Sequence, residues 1–186
     1  MPLRAAGEAA VVCWRLLPAR RSRSGGGAAV RAASADVTPG ARRGRYKTVD
    51  INIAVMTDAG LTTPLLQGVD GKGLSGISSE VREMAGKAQD RKLTPMDMAA
   101  GGFTISNLGM FGIKNFCAII NPPQSAILAV GTTDTVVVPS KTGGFEAASM
   151  MNVTLSCDHR SVDGATGALW LKAFKGYMEN PMSMLL

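Results

Sequence analysis

One histidine, two tryptophans, two tyrosines and three cysteines are spread over 186 residues. Each scarcity excludes something. Cys13, Cys117 and Cys157 are too few and too scattered for a disulfide framework or a cysteine-rich zinc site. A single histidine with two nearby carboxylates lacks a third strong ligand, so no metal centre is expected. Three thiols beside one histidine fit a reducing compartment. No apolar run approaches the roughly 18 residues of a membrane-spanning helix. The glycines form no phosphate loop, because Gly71-Lys72-Gly73 lacks both the spacing and the Ser/Thr of that motif. What is present is apolar: hydrophobic residues make up 46%, too many for a mainly disordered chain. The length suits one domain with its own core.

Acidic residues are scarce in one region only. Residues 1–46 hold nine Arg, no Lys, and only Glu8 and Asp36, a charge of +7. Residues 47–186 hold 11 basic and 12 acidic groups, a charge of −1. The net charge of +6 therefore belongs to an Arg-rich tail, and the remainder offers no basic surface for nucleic acid. An Arg-rich, Ser-containing, acid-poor start has the composition of an organelle transit peptide. Simple solvated chain, sequence joined to the domain by a gene-model error, and an Arg-rich contact arm are the alternatives. Aromatics that would help an arm bind RNA are missing, Trp14 being the only one before Tyr46.

From Lys47 the pattern becomes that of a folded α+β domain, with a mixed sheet covered by helices. Val49, Ile51, Ile53 and Val55 alternate with polar or small residues and predict a strand. Asp58-Ala59-Gly60 is a turn, and Leu61 to Leu66 returns as a strand that Pro64 makes either an edge or an irregular one. Leu74, Ile77, Val81, Met84, Ala85 and Ala88 fall at helical spacing, with Ser75 as the expected cap. Strands are expected at Phe103–Ser106, Ala126–Val130, Val136–Val138 and Met151–Cys157, the third opening a hairpin through Gly143-Gly144. A final helix carries Ala165, Leu169 and Ala173 on one stripe, beside Trp170, Phe174 and Tyr177, and stops at Asn180-Pro181. Met84, Met96, Met98, Met150 and Met151 read as core filler.

His159 lies in Cys157-Asp158-His159-Arg160-Ser161-Val162-Asp163-Gly164, between the clearest strand and the last helix. A histidine four residues before an aspartate at such a junction is compatible with a general base held by a structured turn. A surface loop in which Asp158 or Asp163 caps the helix explains the same residues.

Four runs occur in one order: Phe103-Thr-Ile-Ser-Asn-Leu-Gly109, Ile120-Asn-Pro-Pro123, Ala126-Ile-Leu-Ala-Val-Gly131 and Asp158-His-Arg-Ser-Val-Asp-Gly164. Together they resemble the catalytic domain of the dihydrolipoamide acyltransferases, the core subunits of 2-oxoacid dehydrogenase complexes. The run from Ser106 to Phe116 is most similar to the acetyl-transferring branch of mitochondrial pyruvate dehydrogenase complexes. The resemblance extends from about Tyr46 to Leu186. It implies a chloramphenicol-acetyltransferase-like fold over 47–186, incomplete at its N-terminal end, and a mitochondrial matrix location.

The resemblance also implies roles. His159 matches the base that takes the coenzyme A proton, and Ser106 the hydroxyl that donates to the tetrahedral oxyanion. Asp163 matches the acidic position of the motif, with the task of holding the loop around the histidine. Coenzyme A is the implied acceptor. The lipoyl group is expected on another domain or chain, since Lys72 lacks the context of a lipoylated lysine. The implied partners are further copies in a homotrimer or larger core, lipoyl domains, and other pyruvate dehydrogenase complex subunits, with no nucleic acid and no membrane. No lipoyl domain, peripheral subunit-binding domain or opening helix and strand of the catalytic domain is seen. A catalytically incompetent core fragment with an assembly role is therefore the second reading. A stand-alone acyltransferase of the chloramphenicol type fits the long lipoamide-type motifs poorly.

Overall fold

The computed structural model describes residues 48–140 and 143–184. The Arg-rich tail of residues 1–46, and the readings attached to it, lie outside the described residues.

Among the described residues, seven strands and two α-helices follow one another as β1 (Ile51–Ile53), β2 (Val55–Thr57), β3 (Gly60–Thr62), β4 (Leu65–Leu66), α1 (Leu74–Gln89), β5 (Phe103–Asn107), β6 (Ala126–Pro139), β7 (Phe145–Cys157) and α2 (Gly164–Glu179). Five strands form one sheet in the order β4-β1-β5-β6-β7, while β2 and β3 pair as a separate hairpin. β1, β5 and β6 run parallel, and β4 and β7 are antiparallel edges. The sheet is therefore mixed. No helix among the described residues is long and apolar enough to cross a membrane.

One face of this sheet is built to meet helices. Ile51, Ile53, Phe103, Ile105, Ala126, Leu128 and Val130 bury there against Ile77 and Val81 of α1 and Trp170 and Phe174 of α2. The Trp170 ring lies 5.7 Å from Phe103 and 5.5 Å from Phe174, within the range of favourable aromatic pairs. On α2 it is the Trp170–Phe174 side that turns inward. Leu169, on the neighbouring stripe, is 53% exposed.

The opposite face is covered by loop backbone, and this explains its polar residues. A buried loop must find partners for its peptide groups. Asn52, in the middle of β1, provides them: Nδ2 donates to Thr63 O at 2.9 Å and Ala99 O at 3.0 Å, and Oδ1 accepts from Gly101 N at 2.7 Å. The same loop crowding explains two glycines. A Cβ on Gly131 would stand 2.1 Å from the carbonyl oxygen of Lys114, and one on Gly109 would stand 2.8 Å from that of Gly131.

Several expectations are corrected. The strand predicted over Val49–Val55 divides at Ala54, and the returning segment divides around Pro64. Ala126–Val130 and Val136–Val138 belong to one strand, because a bulge between Val130 and Thr133 absorbs the irregular register at Gly131. Ser75 does not cap α1: the N-cap is Gly73, with no side-chain bond, since the helix already begins at Leu74. Met96, Met98 and Met150 are exposed rather than core.

Candidate active site

β7 ends at Cys157, and the chain immediately folds into a tight turn. Asp158 N donates to Ser125 O at 2.8 Å, tying the turn to the start of β6. Asp158 O then accepts from Ser161 N at 3.0 Å and Val162 N at 2.9 Å, and Val162 is buried in the core. The Asp158 carboxylate accepts from Arg160 N, Nε and Nη2 at 2.9, 3.0 and 2.6 Å. The Arg160 side chain and backbone N–H together hold the Asp158 carboxyl below its usual range. His159 sits inside this pinned turn with an exposed side chain.

Asp163 closes the turn as the N-cap of α2. Its Oδ1 accepts from Thr166 N at 2.6 Å, which satisfies one of the free N–H groups of the first helical turn. Those bonds to Thr166 lower its carboxyl pKa, with a smaller contribution from the nearby His159. The cap reading and the loop-holding reading of Asp163 thus describe one contact. Cys157, just before the turn, has its thiol pushed up by burial, which disfavours a reactive thiolate.

Ser106 stands elsewhere. It is half-buried near the C-terminal end of β5, paired with Ala129 of β6, which faces Thr154 of β7. It lines a cavity of about 340 Å³ together with Ile53, Val55, Val81, Leu108 and Phe111. Met56, Leu61, Met110 and Phe111, all lining the same cavity, remain more than half exposed. Asn107 Oδ1 accepts from Gly109 N at 2.9 Å and shapes the turn that follows the serine.

The register shows how far apart these parts are. Phe103, Ala126 and Cys157 share one row of the sheet, and Ser106, Ala129 and Thr154 share another three residues away. Three residues at about 3.3 Å and two strand spacings at about 4.8 Å place Ser106 roughly 14 Å from Cys157. The strand leads away from Ser106 at that point. His159 and Asp163 are brought together, whereas Ser106 of the same chain lies at the other end of the sheet.

Sequence reasoning passed over Asn52, Thr104 and Gln124. All three are buried and mutually hydrogen-bonded: Gln124 Nε2 donates to Asn52 Oδ1 at 2.7 Å, and Thr104 Oγ1 donates to Gln124 Oε1. Asn52 occupies a polar position of an alternating strand and so reads as solvent-facing. Only Gln124, directly after Pro122-Pro123, sits where a chain reversal could have flagged it.

The sequence matches the family described as 2-oxoacid dehydrogenases acyltransferase (catalytic domain) over residues 35–186. It is 58% identical over 144 residues to the dihydrolipoyllysine-residue acetyltransferase component of the mitochondrial pyruvate dehydrogenase complex of Dictyostelium discoideum, covering 76% of this chain and 23% of that protein. It is 59% identical over 144 residues to component 3 from Arabidopsis thaliana, covering 76% and 27%. The chain thus spans about a quarter of the length of these relatives.

Among solved structures, the dihydrolipoamide acetyltransferase of Azotobacter vinelandii superposes with a TM-score of 0.84 at 30% identity, covering 97% of this chain and 70% of that one. That structure addresses a serine, a histidine and an asparagine in the catalytic mechanism, the asparagine four residues beyond the histidine. Asp163 stands at the same spacing from His159. The cubic core of a pyruvate dehydrogenase multienzyme complex gives a TM-score of 0.81 at 30% identity, covering 100% and 71%. Chloramphenicol acetyltransferase, at 0.53 and 15% identity over 95% and 82%, shares the fold.

Proposed function

Because this chain belongs to the acyltransferase catalytic-domain family of the 2-oxoacid dehydrogenases, we propose that it serves the acetyl-transfer step of a pyruvate dehydrogenase-type complex. An acetyl group passes from acetyl-dihydrolipoamide, carried on another domain or chain, to coenzyme A. The observation that carries the reading is the split arrangement. An exposed histidine on a pinned turn and a serine beside an apolar cavity stand at opposite ends of one sheet. A complete site therefore takes His159 from one copy and Ser106 from the next, in a closed ring such as a homotrimer or a larger core. The superposition on a cubic core supports such an assembly.

The chemistry follows from the groups. A free thiol with a pKa near ~8.5 is mostly protonated at neutral pH. His159 accepts the proton of the coenzyme A thiol as the sulfur attacks the thioester carbonyl, forming a C–S bond and a tetrahedral oxyanion. The Ser106 hydroxyl donates to that oxyanion. Collapse breaks the C–S bond to the dihydrolipoyl sulfur, which leaves with the proton held on the imidazolium. Both substrate arms are uncharged aliphatic chains near the reacting atoms, which suits the apolar lining around Ser106. Asp163 keeps the turn and the start of α2 in register. The mitochondrial matrix is the proposed location, in keeping with the mitochondrial relatives.

The test is acetyl transfer from acetyl-dihydrolipoamide to coenzyme A by the purified chain, with its mass measured by sedimentation. Transfer by an oligomer is the expected result. An active monomer would break the shared-site reading, and an inactive oligomer would establish the core-fragment reading instead.

A further inference from the structure

We infer that Gln124 is a positioning residue for His159, acting through the buried contacts among Asn52, Gln124 and Thr104. The inference rests on the base role proposed above for His159. Asn52 of β1, Thr104 of β5 and Gln124 of the segment entering β6 are 2%, 1% and 5% exposed. Asn52 Oδ1 accepts from both Gly101 N and Gln124 Nε2 at 2.7 Å, and Thr104 Oγ1 donates to Gln124 Oε1. Gln124 is thereby fixed at both ends of its amide. The next residue, Ser125, is fully buried, and its carbonyl accepts the Asp158 N–H at 2.8 Å. From the buried amide to the imidazole the path is short: Gln124, the Ser125 carbonyl, the Asp158 N–H, His159.

The other restraints on the turn are of a different kind. Arg160 pairs with Asp158 from an exposed position, where such pairs hold geometry weakly. Val162 enters the core on the far side of His159 and fixes depth rather than direction. Asn52 is already required by the loop peptides it bonds, but an apolar pair could fill the space of Thr104 and Gln124 without the desolvation cost of a buried amide. What the polar pair adds is direction, and a general base depends on direction: a misplacement of about 1 Å can cost up to roughly 10²-fold in rate.

The test compares Gln124→Met, which keeps the length and loses both bonds, with Thr104→Val, which keeps the shape and loses one. Both are made in the full chain. In Gln124→Met, kcat for acetyl transfer should fall by about 10- to 100-fold, with KM for both substrates within about twofold, and Thr104→Val should fall less. In a His159→Ala background, Gln124→Met should cause no further fall, because it acts only through the imidazole. Hydrogen exchange needs no activity: the Asp158 amide should exchange faster in Gln124→Met, while Leu128 and Leu155 on the paired strands stay protected. Unchanged kcat, unchanged Asp158 exchange, or an equal fall with and without His159 each overturns the inference. A wild-type rate in His159→Ala alone overturns the base role itself, and the exchange result then reports separately whether Gln124 holds the turn.

Discussion

The two ends of the central sheet are finished in different ways. At the end where β7 stops, backbone bonds within the turn from Asp158 to Val162 and to Ser125 hold it in place, and Asp163 locks the turn onto α2. At the end where β5 stops, Ser106 opens onto an apolar cavity rimmed by exposed Met56, Leu61, Met110 and Phe111. The first end aims one polar side chain and is structurally complete. The second leaves apolar surface of the kind that marks an interaction site. The contrast teaches that one copy holds His159 and Ser106 apart, so the base and oxyanion roles proposed for them need two copies.

The largest expected effect falls on the complete end. His159→Ala should lower acetyl transfer by about 10²–10⁴, the usual contribution of a positioned general base, while circular dichroism stays unchanged because the side chain is exposed. Wild-type turnover would remove the base. Next comes Ser106→Ala, expected to cost about 10²–10³ through the lost oxyanion donor, with the change in kcat rather than in KM. A loss confined to KM would make Ser106 part of the cavity wall only.

A third substitution tests the link between the two ends. Gly131→Ala would drive a Cβ against the Lys114 carbonyl beside the turn that follows Ser106. It should destabilise the fold by about 1–3 kcal/mol through overpacking. An unchanged denaturation midpoint would mean that the 113–120 loop does not press on β6.

The smallest effect concerns Asp163. Asp163→Asn should keep the helix cap and a rate within about twofold, since the two residues cap equally well. Asp163→Ala should lower Tm by about 2–4 °C. The pH dependence has a fixed sign. The folded pKa of Asp163 is depressed, so its stabilising effect is present above the ordinary carboxylate value of 3.8 and fades as pH falls through the lower folded value. The Tm gap between wild type and Asp163→Ala should therefore be full at neutral pH and close in acid below about pH 4.

Much of this was legible in the sequence, for physical reasons. Strong periodicity marks α1 and β7, and the Asp158–Gly164 run carries both the proposed base, His159, and the cap, Asp163. Asp163 at the start of a helix is a local signal, complete within four residues. The misreadings share the opposite character. Val130 and Thr133 belong to one strand because a bulge lets the chain pass under the Lys114 backbone, a contact made across the fold. Asn52 looks exposed by alternation, yet its partners lie 11 to 72 residues away. Spacing on α2 offers two adjacent apolar stripes, and only the packing shows that Trp170 and Phe174 are buried while Leu169 is exposed. The spacing of Ser106 and His159 along the chain does not give the distance between them, which follows from the register of three strands.

That separation is tested most directly by mixing the two inactive single mutants, His159→Ala and Ser106→Ala, after dissociation and reassembly. Each mixed ring would contain sites that pair an intact His159 from one copy with an intact Ser106 from its neighbour. Random mixing in a closed ring gives about a quarter of the sites both groups, so about a quarter of wild-type acetyl transfer should return. A mixture shown by mass to contain both chains in one particle, and still without activity, would contradict a site shared between copies.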